Sequence, residues 1–276
     1  MEIKQAEDTW LAKKSKKAKT WEDVTDIIKF DGDFASVMGK AGRTEFHSYL
    51  GKIKDKWVEM YGVTSLLNYW GEKERLLQWA VDRAVDWIED EFVDCEEIPQ
   101  TKVFYERVCK EARSAHKRSL NEASSHGTYK HALVETWIKG RIEGNEVFNP
   151  EIKEFIEWAV SSGVTFLASE MPLRSKKLWV AGTTDFICEI NGKKYIGDLK
   201  TSNYIKFPNF IQCGAYALMY EEMGLGKIDG IVIAHMPRTG GFNIHIDMDV
   251  DNYKKDFEAL VRMVKRDKDK SYQLFA

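Results

Sequence analysis

The chain has 276 residues, 43% of them hydrophobic, so a sizeable core can form and wholesale disorder is excluded. Its 41 basic and 44 acidic residues leave a formal net charge of −3, which excludes a globally basic nucleic-acid coat but permits a local basic channel. No run of about 18 apolar residues marks a membrane span. The first residues carry Glu2, Glu7 and Asp8 instead of an apolar leader, so neither a span nor a secretory peptide is expected.

In chain order, the pattern reads as helical up to about Gly144. Leu66-Leu67, Trp70, Leu76-Leu77, Ala80-Val81, Val85 and Ile88 recur at three-to-four spacing. Thr20 followed by Asp23 resembles a capping box, although Glu or Gln is the usual third residue. Six of the nine tryptophans precede residue 90, and an amphipathic helical core explains them better than a base-stacking surface. Lys13, Lys14, Lys16, Lys17 and Lys19 form a solvated charged face or an arm that touches phosphates. Pro150 opens another helix through about residue 161. Strands are expected over 164–173, 178–190 and 195–201, then a helix over 208–223 that stops at Gly224. Two more strands, 228–235 and 242–248, flank a turn with Pro237 and Gly240-Gly241, and an amphipathic helix closes the pattern over 251–268. The fold class is therefore α/β: a mixed central sheet preceded by a large helical region, divided as 1–126 and 127–276.

Cys95, Cys109, Cys188 and Cys213 are scattered without a CxxC pair, which fits a reduced, cytoplasmic chain better than a disulfide framework. Closely spaced cysteine pairs of the kind that hold an iron–sulfur cluster are missing too.

The strongest local signal is the dipeptide Asn191-Gly192. A two-residue type I′ hairpin loop requires positive φ at both positions, and Asn-Gly supplies it at least cost. Ile190 then pairs with Lys193, Asp185 falls opposite Asp198, and Thr183 falls opposite Lys200. Because side chains alternate with period two, Asp185, Asp198 and Lys200 share one face. Cβ atoms of opposed residues lie about 4.5–5.5 Å apart, so two carboxylates there repel, and a divalent cation would compensate them.

Four further features surround this hairpin. On a helix, His131 and Glu135 at i, i+4 share a face and could reach one ion; an ordinary helical contact is the plainer reading of the pair. Glu170 lies on the strand ahead of the hairpin, where an isolated acid is ordinarily solvated. Gln212 and Tyr216 form a second i, i+4 pair, otherwise a surface amide with a half-buried phenol. Thr201-Ser202 follow the lysine, with hydroxyls suited to a phosphate or to capping the strand end.

Taken in order, His131, Glu170, Asp185, Asp198-Leu199-Lys200 and Gln212-x3-Tyr216 resemble the PD-(D/E)XK nuclease superfamily, in its RecB-like branch, which includes the mitochondrial genome-maintenance exonucleases. The resemblance covers roughly 127–220 and is carried by GTTDF, GDLKTSN and QCGAY. It implies a restriction-endonuclease-like sheet flanked by helices. It implies metal binding by His131, Asp185, Asp198 and the Leu199 carbonyl, with Glu170 near a second metal. Lys200 would orient or help deprotonate the attacking water and stabilise charge developing on the phosphate. Gln212 and Tyr216 would position Lys200 and contact the nucleic-acid backbone, with Thr201 and Ser202 beside them. Branch members that hold an iron–sulfur cluster use one upstream and three C-terminal cysteines. None follows Cys213 here, so the cluster-free kind is implied.

Hard oxygen ligands favour Mg²⁺ or Mn²⁺, and the histidine leans toward Mn²⁺. Two neighbouring carboxylates hold a lysine charged, so Lys200 is expected to act electrostatically and not as a free-amine base. The reading is a metal-dependent deoxyribonuclease, an exonuclease on single-stranded DNA or DNA ends, with the preceding helical region as an arch or channel. Implied partners are DNA and replication or recombination proteins, with no membrane, in a bacterial or phage-infected cell. The competing readings are a structure-specific endonuclease and a nucleic-acid-binding or assembly factor with a silent nuclease fold. A small-molecule phosphohydrolase lacks a P-loop here.

Overall fold

The expected hairpin anchors the architecture of this computed structural model, which describes residues 24–41, 44–54, 56–69, 73–93 and 101–271. Strands β7 (Val180–Ile190) and β8 (Lys193–Lys200) turn at Asn191 and Gly192, whose φ values of 51° and 75° are the two left-handed positions the turn demands. Pairing runs from Ile190↔Lys193 to Phe186↔Gly197, the expected register. Helix α5 (Phe207–Glu222) then crosses over to β9 (Gly230–His235), parallel to β8, and β10 (Asn243–Asp247) returns antiparallel. β6 (Thr165–Ser175) lies antiparallel along the other edge of β7. The short β5 (Tyr61–Gly62) pairs parallel with Val180 and Ala181, completing the order β10-β9-β8-β7-β5.

Both faces of this sheet are covered, as a sheet with parallel crossovers requires. Ile187, Ile196, Ile231 and Ile233 pack against α5, against α6 (Val250–Ser271) and against α1 (Val63–Tyr69). On the other face Phe186, Cys188, Val232 and Ala234 meet α3 (Lys102–Glu143) and α4 (Lys153–Ser161), which a 3-10 turn at Pro150–Ile152 leads into. The mixed central sheet flanked by helices is thus as the sequence predicts. Cys109, Cys188 and Cys213 are free thiols, and no helix among the described residues is long and apolar enough to cross a membrane.

The all-helical expectation for the first part of the chain is corrected. Helices α1, α2 (Lys73–Phe92) and α3 are present, but ahead of them stands an antiparallel sheet, β1 (Val24–Asp31), β2 (Phe34–Ala41), β3 (Thr44–Ile53) and β4 (Lys56–Glu59). Its first hairpin closes on Gly32-Asp33, with Asp31 opposite Phe34 and φ of +48° at Gly32, the glycine-first form of the two-residue loop. Strand alternation is hidden in β2 because Phe34, Ala35, Ser36 and Val37 are all buried. Helix α3 also runs unbroken across the expected division at residue 126. The lysine run at 13–19 and the Thr20/Asp23 pair lie outside the described residues.

Where β8 ends its pairing with β7, Gly197 is required by close approach: a Cβ there would fall 1.9 Å from the ring of the fully buried Phe186. Gly197→Ala is expected to destabilise the fold by about 1–3 kcal/mol, read as a lower urea midpoint at unchanged slope.

Candidate active site

One edge of β7 carries β8 up to Phe186 and β5 from Ala181 back to Val180; between them, residues 182–185 have no strand partner on that edge among the described residues. Side chains occupy this gap. Thr184 Oγ1 donates to the Gly197 carbonyl (3.0 Å), and the Leu199 N–H donates to Asp185 Oδ2 at 2.6 Å. Asp185 and Asp198 continue the hairpin register, but the ladder stops one pair short of them, so the two acids are not bonded through their backbones as the direct-pair expectation had it. The strands part because Asp185 spends its carboxylate on the backbone of β8.

The structure brings His131, Glu170 and Asp185 together. One ligand atom from each lies within 4.8 Å of the others, and His131 Nδ1 is 3.5 Å from Asp185 Oδ2. His131 comes from α3, Asp185 from β7 and Glu170 from β6. Ser169↔Phe186 and Met171↔Thr184 bracket Glu170 opposite Asp185 without making them a ladder pair. Glu170 has φ of +46°, a left-handed conformation unfavourable for a residue with a Cβ and common where function holds the backbone. Asp198 stands outside this 4.8 Å group. It is 2% exposed, and its Oδ2 is ion-paired with the Lys200 ammonium at 2.5 Å.

A relay holds the lysine. Lys200 Nζ donates to Gln212 Oε1 (3.1 Å), and Gln212 Nε2 donates to the Tyr216 hydroxyl (2.9 Å), so one helical turn of α5 fixes the head group from behind. Ser202 is not brought to this cluster: its hydroxyl donates to the Tyr204 carbonyl, and its own carbonyl meets His235 Nε2 at 2.7 Å. The Thr201 hydroxyl faces Gly127 of α3, where a Cβ would come within 2.9 Å of it. The i, i+4 partner of His131, Glu135, is ion-paired with Lys139 and is not one of the three grouped donors. Leu199 is buried, and its N–H is the group that reaches Asp185.

The N-terminal sheet adds a residue that sequence reasoning missed. Tyr49 of β3 is buried, and its hydroxyl lies 3.0 Å from Thr183 Oγ1 on β7; His47 Nδ1 is 3.5 Å away. Burial, with the Glu170 charge adding to it, pushes the Tyr49 phenol up to about 12, so it stays neutral. The only signal was the i, i+2 spacing of His47 and Tyr49, which belongs to a strand.

Burial raises the Asp185 carboxyl, but the His131 contact, the Lys200 charge and the Leu199 N–H outweigh it and hold the group below the usual carboxylate range. Burial pushes Asp198 up to about 6, with Asp185 adding and Lys200 opposing. Glu170 rises to about 7, from burial first and then from Asp185 and Glu135. Burial would discharge Lys200, yet Asp198 and Asp185 more than offset it and keep the ammonium charged. His131 is likewise raised, burial being outweighed by Asp185. Three carboxylates, Asp185, Asp198 and Glu170, thus share the site with one ammonium and one imidazole. One imidazole and two carboxylates are a fitting donor set for Mg²⁺ or Mn²⁺.

No family model matches the chain, and no curated protein is significantly similar to it. Among solved structures, an alkaline exonuclease from Laribacter hongkongensis is 11% identical at a TM-score of 0.25, covering 51% of this chain and 85% of that one. A candidate exonuclease from Eubacterium rectale is 13% identical at a TM-score of 0.34, covering 76% and 80%. Likeness at this level leaves the chemistry to rest on the site. Fold and site together define a mixed α/β sheet protein with a half-buried histidine–carboxylate–lysine centre.

Proposed function

We propose that this chain is a divalent-metal-dependent nuclease of the PD-(D/E)XK kind that hydrolyses phosphodiester bonds in DNA, acting as an exonuclease on single strands or ends. One observation carries the reading: His131, Glu170 and Asp185 converge within 4.8 Å beside an Asp198–Lys200 ion pair. His131, Glu170 and Asp185 would hold the ion, with Asp198 adjacent. Bound there, the ion would polarise a phosphoryl oxygen and lower the pKa of a bound water.

The chain's own groups divide the remaining work. Asp185 is locked by the Leu199 N–H and by His131, so its position is fixed before substrate arrives. Lys200 keeps its proton on Nζ and offers positive charge where the phosphate gains negative charge. Gln212 and Tyr216 restrict that ammonium to one direction. Tyr49, neutral and held against Thr183, closes the side of the site that faces the N-terminal sheet.

The test is a digestion panel with Mg²⁺ or Mn²⁺ on end-labelled linear single-stranded, duplex and circular single-stranded DNA, with EDTA and Asp198→Ala as controls. Linear strands are expected to shorten from their ends while circles stay whole, and both controls are expected to be inert. Cut circles would replace the exonuclease reading with an endonuclease. Metal-loaded protein that binds DNA but cleaves none of the substrates would overturn the enzyme reading in favour of a silent binder.

A further inference from the structure

Helix α3 does more than deliver His131. With Val134 and Ile138 buried, its C-terminal half lies on the sheet, and the helix then continues N-terminally for about thirty residues past His131. At about 100° per residue, Arg113 lies 18 positions back and returns to the azimuth of His131, with Lys117 and Lys110 within about 60° of it. Of the acids of this stretch, Glu111 and Glu122 fall on the opposite side, Glu111 being paired with Arg118, whereas Glu106 lies on the His131 side one turn beyond Lys110 and is paired with Lys102. Helix α2 packs on the far flank of α3, through Glu91 with Arg107, Trp87 under Arg118 and Phe92 against Phe104, each well away from the His131 azimuth. Lys110, Arg113 and Lys117 are exposed, and none has an acidic partner among the described residues. A groove along the same face is lined by Lys102, Tyr105, Glu106, Cys109, Lys110 and Arg113, with the Glu106 carboxylate offset by Lys102.

We infer that this face of α3 is a second nucleic-acid contact, in which Lys110, Arg113 and Lys117 hold the phosphates of the single DNA strand that runs beyond the active site. The inference rests on the nuclease reading above. At 1.5 Å per residue the three cations stand about 21, 27 and 32 Å from His131. That is roughly six to nine nucleotides at the 3.4 Å axial rise per strand of B-form DNA, and fewer for an extended strand. Charge complementarity selects the occupant: a straight row of unpaired cations, free of acids as far as His131, suits a polyanion of regular spacing. Tyr105, 44% exposed beside the row, adds an aromatic face on which a base can stack.

The test compares the full chain with Lys110→Gln/Arg113→Gln/Lys117→Gln, and with Lys153→Gln/Lys193→Gln/Lys255→Gln as an equal charge change elsewhere. Binding of labelled oligothymidylates of about 4, 8, 12 and 20 nucleotides is measured in EDTA across a salt series. For the wild type, affinity is expected to climb between the short and long probes. The α3 variant should lose about tenfold or more of that gain, and its salt slope on the longest probe should flatten by about 2, near 0.7 per lost phosphate contact. Cleavage of the shortest substrate in Mg²⁺ should be unchanged, and the Lys153/Lys193/Lys255 variant should match wild type throughout. Wild-type length dependence and salt slope in the α3 variant would overturn this inference while leaving the nuclease reading standing. A wild type that binds and cleaves no probe at all would overturn both. Circular dichroism and thermal midpoint, expected to be unchanged for three exposed substitutions, show that the variant is folded.

Discussion

Lys200→Ala and Asp198→Ala are each expected to lower single-turnover DNA cleavage by about 10³-fold or more, while DNA binding in the absence of cleavage stays within a few fold. The ammonium is half-buried, held charged by Asp198 and Asp185, and aimed by Gln212, so its removal takes away a fixed positive charge. Asp198 is 2% exposed and is the group against which that charge is set. Breaking one half of a buried ion pair also costs about 3–5 kcal/mol of stability, because the other half is left unpaired. A fall in activity could therefore reflect unfolding. The double variant Asp198→Asn/Lys200→Met removes both charges at nearly constant volume; it should keep a thermal midpoint close to wild type and remain inactive. Full hydrolysis in either single variant, with the protein folded, would refute the assigned chemistry.

How much of this was legible depends on how local each determinant is. The register of β7 and β8 follows from two residues, since Asn191 and Gly192 can adopt the positive φ that the loop demands. The Gln212/Tyr216 relay is equally local, a single i, i+4 step on one helix. Glu170 is different. A bulge between Phe166 and Ala168 shifts the β6 register by one, which sets Glu170 opposite Asp185; without it, Glu170 would face Thr184. An apolar pattern does not encode such a bulge. The parting of the strands at Asp185 was hidden for a related reason: a side chain, not a backbone group, receives the Leu199 N–H. The N-terminal sheet carried a readable turn at Gly32-Asp33, but buried Ser36 and Ser48 interrupt the apolar alternation that would have marked its strands. Tyr49 was lost with that sheet, although it is the residue that ties the sheet to Thr183.

The bulge and the left-handed backbone at Glu170 mark a residue kept at a cost to the fold, and the second large expected effect is on stability. Glu170→Gln should stabilise the metal-free protein at pH 8 while removing its response to metal. A carboxyl raised to about 7 in the folded state, against 4.5 ordinarily, binds its proton more tightly folded than unfolded. Its favourable contribution is complete below pH 4.5 and drains away as pH rises through about 7; above that, wild type carries a buried, crowded charge. The difference is on the order of 3 kcal/mol. In EDTA, urea unfolding of wild type and variant should therefore give nearly equal stabilities near pH 4.5, diverging to favour the variant by pH 8. With Mn²⁺ at a hundredfold excess over its dissociation constant, wild type should regain about 2.7 kcal/mol, because the folded state alone presents the converged donors. The variant, with an amide in place of the carboxylate, should gain little and cleave DNA slowly. Equal stabilities in EDTA at pH 8, or an equal gain from Mn²⁺ in both proteins, would show that Glu170 is not part of the ion's seat. The opposed signs make the result hard to imitate: a purely structural glutamate gives a variant that is weaker in both conditions, whereas an ion ligand gives one that is stronger without metal and weaker with it.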